Sequence, residues 1–172
     1  MVQPFVPMSL SLFGRSDLKT VANLEFPERP FAISGKNLIL GMYVNELLYR
    51  LLEKFDPLEP VFDSYEGLLK KFEKLNNPIS SLREFELNLL KELGYGINFQ
   101  TDSASGDFFF PDAHYNFFVN EGFRKTLKPD EMSFRGDEIQ SMALGKLDEV
   151  RPKKVLSLTR QSLASLLDNI PL

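Results

Sequence analysis

The stretch Leu82 to Phe99, LREFELNLLKELGYGINF, constrains the fold more than any other, because its pattern fits one element only: an amphipathic helix with a glycine exit. Leu82, Phe85, Leu89 and Leu93 recur at i, i+3, i+7 and i+11, and Leu90 and Ile97 widen the stripe. Arg83, Glu84, Asn88, Lys91 and Glu92 are expected on the opposite, outward face. Ser81 followed by Glu84 fits a capping box, in which each side chain satisfies an amide of the first turn. Gly94 stands where a left-handed C-terminal cap is wanted.

Helical patterning recurs on both sides. Asn37 to Lys54 places Leu40, Tyr43 or Val44, Leu47 and Leu51 on one face, and Leu38, Ile39, Met42, Leu48 and Leu52 broaden the arc enough to predict a central helix ended by Asp56-Pro57. Val61 to Leu75 reads as a helix with Phe62, Tyr65, Leu68, Leu69 and Phe72 inward. Near the C-terminus, helices are predicted from Asp137 to about Leu147 and from Pro152, a favoured first helical residue, to Asp168. Val155, Leu156, Thr159, Leu163, Leu166 and Leu167 form the expected buried face of the last helix.

Two segments are not helical. From Pro4 to Val21 apolar residues alternate with polar ones around Gly14-Arg15-Ser16-Asp17, which predicts a hairpin whose returning strand runs from Leu18 to Val21, followed by a linker over 22 to 34. A lone hairpin is marginal in water, so further strands upstream of Met1 are expected. Residues 97 to 134, a window of 38, hold 8 of the 16 phenylalanines, and short strands and loops fit best. Phe108-Phe109-Phe110 and Phe117-Phe118 either fill a small aromatic core or stack on exposed bases.

Composition narrows the chemistry. With 172 residues and 43% hydrophobic content, one main domain is expected. No cysteine is present, which excludes disulfides and thiolate sites. No apolar run approaches the ~20 residues of a membrane span, and the N-terminus has no signal-peptide pattern, so an intracellular, non-membrane protein is expected. The single histidine, His114, sits in a predicted loop with no nucleophile motif, and a solvated or half-buried ring is expected there. Glu46, Asp63 and Glu66 lie on helices, where carboxylates are usually solvated; the other reading is a hydrolase using Glu46 and Asp63.

The net charge of -4 runs against simple polyanion binding. Its distribution matters more: residues 31 to 121 hold 8 basic and 14 acidic side chains, whereas residues 122 to 172 hold 9 and 7. Anion-binding candidates therefore lie toward the ends. Arg15 and Lys19 flank the hairpin turn, and Arg124, Lys125 and Lys128 form a small cluster. Arg151, Lys153 and Lys154 fall in the first turn of a predicted helix, where the macrodipole disfavours cations. Either a phosphate backbone or the neighbouring Asp148 and Glu149 would compensate them.

The segments GMYVNELL (Gly41 to Leu48), FDSYEGLL (Phe62 to Leu69) and the run Leu93-Gly94-Tyr95-Gly96, with the pairs Asn45-Glu46 and Phe85-Glu86, resemble the RecO family of bacterial DNA-repair and recombination-mediator proteins. Gln3 to Pro7 and Gly14 to Thr20 resemble the last strands of the OB-fold that opens this family. The resemblance implies a mainly α chain: an incomplete OB-fold over residues 1-33, then a helical domain over 34-172 with a small irregular or β insert at about 97-135. It also implies a non-enzymatic mediator that binds single- and double-stranded DNA, anneals strands and helps exchange single-strand-binding protein for recombinase, with RecR as partner. The implied setting is the bacterial cytoplasm, at the nucleoid. Arg83 and Leu93 match the position that receives the C-terminal tail of single-strand-binding protein. Members often carry a four-cysteine zinc site in the region matching Gln100 to Gly122; without cysteines neither metal nor cofactor is expected. The alternative is a helical docking module for that tail or for RecR with little DNA affinity.

Overall fold

The computed structural model describes residues 3–15 and 18–167. Its elements are β1 (Ser9–Phe13), β2 (Thr20–Glu25), α1 (Gly35–Leu51), α2 (Glu59–Lys74), α3 (Ile79–Glu92), β3 (His114–Phe118), β4 (Gly122–Thr126), β5 (Phe134–Arg135), α4 (Gly136–Ala143), a 3₁₀ turn (Leu147–Glu149) and α5 (Pro152–Leu166). The chain is mainly α, as its patterning predicts.

Helix α3 is the shared wall of the molecule. Leu82, Phe85, Leu89 and Leu90 are each 1% exposed and build a first core with Val44 and Leu47 of α1, Leu68, Leu69 and Phe72 of α2, and Leu163 of α5. Its exit is a Schellman motif: the Tyr95 N–H donates to Leu90 O (2.8 Å) and the Gly94 N–H to Lys91 O (3.0 Å), with Gly94 at φ +85°. The start differs from expectation. The helix begins three residues early, at Ile79 with Pro78 as its N-cap, so Ser81 and Glu84 form no capping box, and Glu84 pairs with Lys71 of α2 instead.

Several faces are also corrected. Ile39 is 70% exposed and Phe62 67%, so α1 is not the central helix and Phe62 points out of α2. Along α5, Leu158 is buried and Leu156 exposed, the reverse of the expected assignment for Leu156. Arg83 does not face away from the core: it is turned back against Glu86. The helix expected from Asp137 to about Leu147 breaks at Ala143 into the 3₁₀ turn. His114 opens strand β3 and is not in a loop. Asp168, the expected end of α5, lies outside the described residues.

Residues 97 to 135 form a three-stranded antiparallel sheet, ordered β4-β3-β5, with Tyr115 opposite Lys125 and Phe117 opposite Phe123. Its inner face supplies a second core of Phe109, Tyr115, Phe123 and Phe134. Ile139 and Met142 of α4 and Val155 and Leu158 of α5 complete this core, and Ile97 packs against both cores. The aromatic-rich segment is therefore built into the helical body through α5.

The N-terminal hairpin pairs β1 with β2, with a register shift at Ser11/Leu12, and every residue of both strands is exposed. Its base is nonetheless anchored. The Phe5 ring lies on α1 where Gly41 has no side chain; a Cβ there would stand 2.8 Å from Phe5 Cζ. Glu73 of α2 accepts from Arg29 (2.5 Å) and from the Ala32 N–H (2.9 Å), which hold its carboxyl down to about 2. A carboxyl depressed below the 4.5 of its unfolded form stabilises the fold above pH 4.5, and that contribution is lost as pH falls toward 2. Glu73→Gln is expected to loosen residues 26 to 33, read as faster limited proteolysis of that linker near neutral pH. The difference from wild type should shrink on acidification; one that is unchanged at low pH would refute the linkage.

Candidate nucleic-acid interface

The sequence-predicted residues fall on the N-terminal hairpin, the first turn of α5, and two separate positions along α3 and its C-cap. Arg15 is exposed on the hairpin, beside two residues outside the described set. Lys19 folds back: its Nζ donates to Gly14 O (3.0 Å) and lies 5.3 Å from the centroid of Phe55, in the loop after α1. These two cations share the hairpin tip.

The first turn of α5 divides its cations. Arg151 is exposed, and among the described residues it has no carboxylate within ion-pair distance. Lys153 is also exposed and reaches Glu131 at 2.9 Å. Lys154 is different, with only 7% of its side chain exposed. It donates to Glu138 (2.6 Å) and lies over the Phe134 ring at 5.4 Å, so it belongs to the second core and not to a DNA face. The macrodipole penalty at this turn is offset by Glu131 and Glu138. Asp148 and Glu149 are engaged elsewhere, with Ser80 and with Ser141 and Lys146.

Arg83 and Leu93 stand at opposite ends of α3, ten residues or about 15 Å apart at 1.5 Å per residue. They do not form one pocket. Arg83 Nη1 donates to Glu86 and, at 3.2 Å, to Thr159 of α5; its Nε is buried with no partner among the described residues. Glu86 also accepts from Tyr43 Oη of α1 at 2.8 Å and is 0% exposed. Burial pushes the Glu86 carboxyl up, against the pull of Arg83, and burial followed by the Glu86 charge holds the Tyr43 phenol above its ordinary range. This buried network joins α1, α3 and α5. The sequence carried one sign of it, a carboxylate on the apolar stripe between Phe85 and Leu89.

Leu93 lines a cleft of about 480 Å³ with Leu51, Leu58, Leu166 and the cation Arg50. Glu53, Asp56 and Glu92 share its rim, and Arg50 already pairs with Glu46 at 2.6 Å. Glu66 is similarly paired with Lys70. Among the described residues no group of three or more His, Asp or Glu side chains is placed to hold a metal ion, and no helix is long and apolar enough to cross a membrane.

The family described as Recombination protein O C terminal matches residues 34–167. A DNA repair protein RecO of Psychromonas ingrahamii is 34% identical over 173 residues, 99% of this chain and 74% of that protein. Proteins of the same name from Coxiella burnetii and Aliivibrio salmonicida are 36% and 31% identical, covering 98% and 92% of this chain and 73% and 66% of theirs.

Proposed function

The chain belongs to the RecO family of DNA repair proteins, and from this premise we propose that it acts as a DNA-binding mediator of repair and recombination without catalytic turnover. In this reading it binds single- and double-stranded DNA and anneals complementary strands. It works beside RecR in the bacterial cytoplasm, at the nucleoid, and helps exchange single-strand-binding protein for recombinase. Residues 1-33 serve as the end of an OB-fold and 34-172 as the helical domain. The observation that carries the reading is the likeness to RecO proteins across nearly the whole chain. The exposed cations Arg15, Arg151 and Lys153 are the groups best placed to meet phosphates; Lys19 contributes at the hairpin tip.

Binding that rests on phosphate neutralisation weakens as salt rises, because condensed counterions are released on association. Affinity for a single-stranded oligonucleotide is expected to fall steeply between about 50 and 200 mM salt. Arg151→Gln should reduce the salt slope by about 1. A folded chain with no DNA affinity at low salt would refute this reading.

The second reading, capture of the acidic tail of single-strand-binding protein, is favoured by the apolar floor around Leu93 with Arg50 at its rim. The carboxylates of that rim oppose an acidic guest. Arg83, held by Glu86 and Thr159, has no part in this version. Tail-peptide binding that survives the loss of all DNA affinity would leave docking as the function.

A further inference from the structure

The phenylalanines of the insert divide in two. Phe109, Phe117, Phe123 and Phe134 pack on one another inside, but Phe108 and Phe110 are 77% and 57% exposed. Phe108 bridges Thr101, and burial alternates along the run as it does in extended chain: Phe109 is 4% exposed, whereas the rings on either side of it face solvent. Residues two apart in extended chain are about 6.6 Å apart. The segment is also rigidly held, since the Phe110 N–H donates to Tyr115 Oη (2.9 Å), Phe110 O accepts from Ala113 (3.0 Å) and Phe109 O accepts from Gln140 Nε2 (3.0 Å).

Two large rings pinned outward in water are unusual in a core-forming segment, and their companion is a cation. Lys125 Nζ lies 5.1 Å from the Phe110 centroid, and among the described residues no carboxylate lies within ion-pair distance of it. Lys125 belongs to Gly122 to Lys128 (GFRKTLK), which carries three cations and no acid. The neighbouring pair of Phe118 and Arg124 is less available, because Glu121 occupies Arg124. Rings offered to solvent with an uncommitted ammonium beside them match the two parts of a single-stranded nucleotide, base and phosphate.

We propose that Phe108 and Phe110, with Lys125, form a stacking platform that holds two successive bases of single-stranded nucleic acid and one of their phosphates. The inference rests on the DNA-binding reading above and adds to it a site in the cysteine-free insert.

The whole chain has no tryptophan, so Phe110→Trp creates a single indole at the platform, which can be excited apart from the five tyrosines. Titration with oligothymidylate is expected to quench it to saturation, and an abasic strand of equal length should leave it unquenched. Phe108→Ala/Phe110→Ala should weaken oligothymidylate binding by roughly five- to 150-fold for each base released, with duplex affinity and thermal melting unchanged. Equal oligothymidylate affinity in wild type and double variant would overturn the platform while leaving the mediator reading standing. Wild type with no single-strand affinity at low salt would remove both. Quenching by a single-strand-binding-protein tail peptide and not by oligothymidylate would reassign the rings to protein docking and overturn the proposal.

Discussion

Glu86→Ala is expected to destabilise the fold by about 3–5 kcal/mol, the range for breaking a buried ion pair from one side. The carboxylate is fully buried and takes hydrogen bonds from Tyr43 and Arg83, so its removal leaves a largely buried guanidinium with no paired carboxylate among the described residues. At about 2–4 °C per kcal/mol for a chain of this length, the loss should be plain in a thermal melt. Tyr43→Phe, which removes one hydrogen bond and keeps the ring, should cost only about 1 kcal/mol. Replacing both charged partners, as in Arg83→Met/Glu86→Leu, should recover most of the loss, because an apolar pair of similar volume avoids the desolvation cost. A Glu86→Ala melt within a degree of wild type would mean that the network contributes nothing.

Phe123→Ala should be comparably damaging, at about 3–5 kcal/mol, through transfer free energy and the cavity left behind. Its ring is 0% exposed and lies 5.9 Å from Phe99 and Phe109, 5.2 Å from Phe117 and 5.3 Å from Phe134. The interior of this region is aromatic. Because this core continues into Val155 and Leu158 of α5, the cooperative melt of the whole chain should fall. If only the insert became protease-sensitive at an unchanged melting temperature, the two cores would be independent.

The helices were legible because each must bury one stripe, and a stripe has a period. Gly94 and Pro152 were legible for a related reason: a left-handed cap and a fixed φ are local demands that few residues meet. The start of α3 was less so, because Ser81 and Glu84 satisfy a capping rule that Pro78 pre-empts three residues earlier. Phe62 shows a different limit. It occupies an inward position by periodicity, yet it stays 67% exposed, in a groove it shares with Phe5, Phe31 and Tyr65.

Charged side chains were the least legible. Arg83 and Lys154 look like solvated cations in a linear reading, and each is turned inward by a carboxylate on the apolar side of a helix. Of the partners, only Glu86 is close in sequence; Tyr43 lies 43 residues from it, Thr159 lies 76 from Arg83, and Glu138 lies 16 from Lys154. The outward pair Phe108 and Phe110 was visible as an aromatic run, but which rings faced water depended on the bridge to Thr101 and on what packed over Phe109.

The helical class, the glycine exit of α3, the hairpin and the family could all be read from the order of residues alone. Local backbone preference and apolar periodicity are properties of adjacent residues, so they can be read along the chain. Packing set which charges were buried, that Arg83 and Leu93 stand apart, and which aromatic rings remained exposed. Those outcomes depend on desolvation and on partners brought from distant elements, and neither exists until the helices pack.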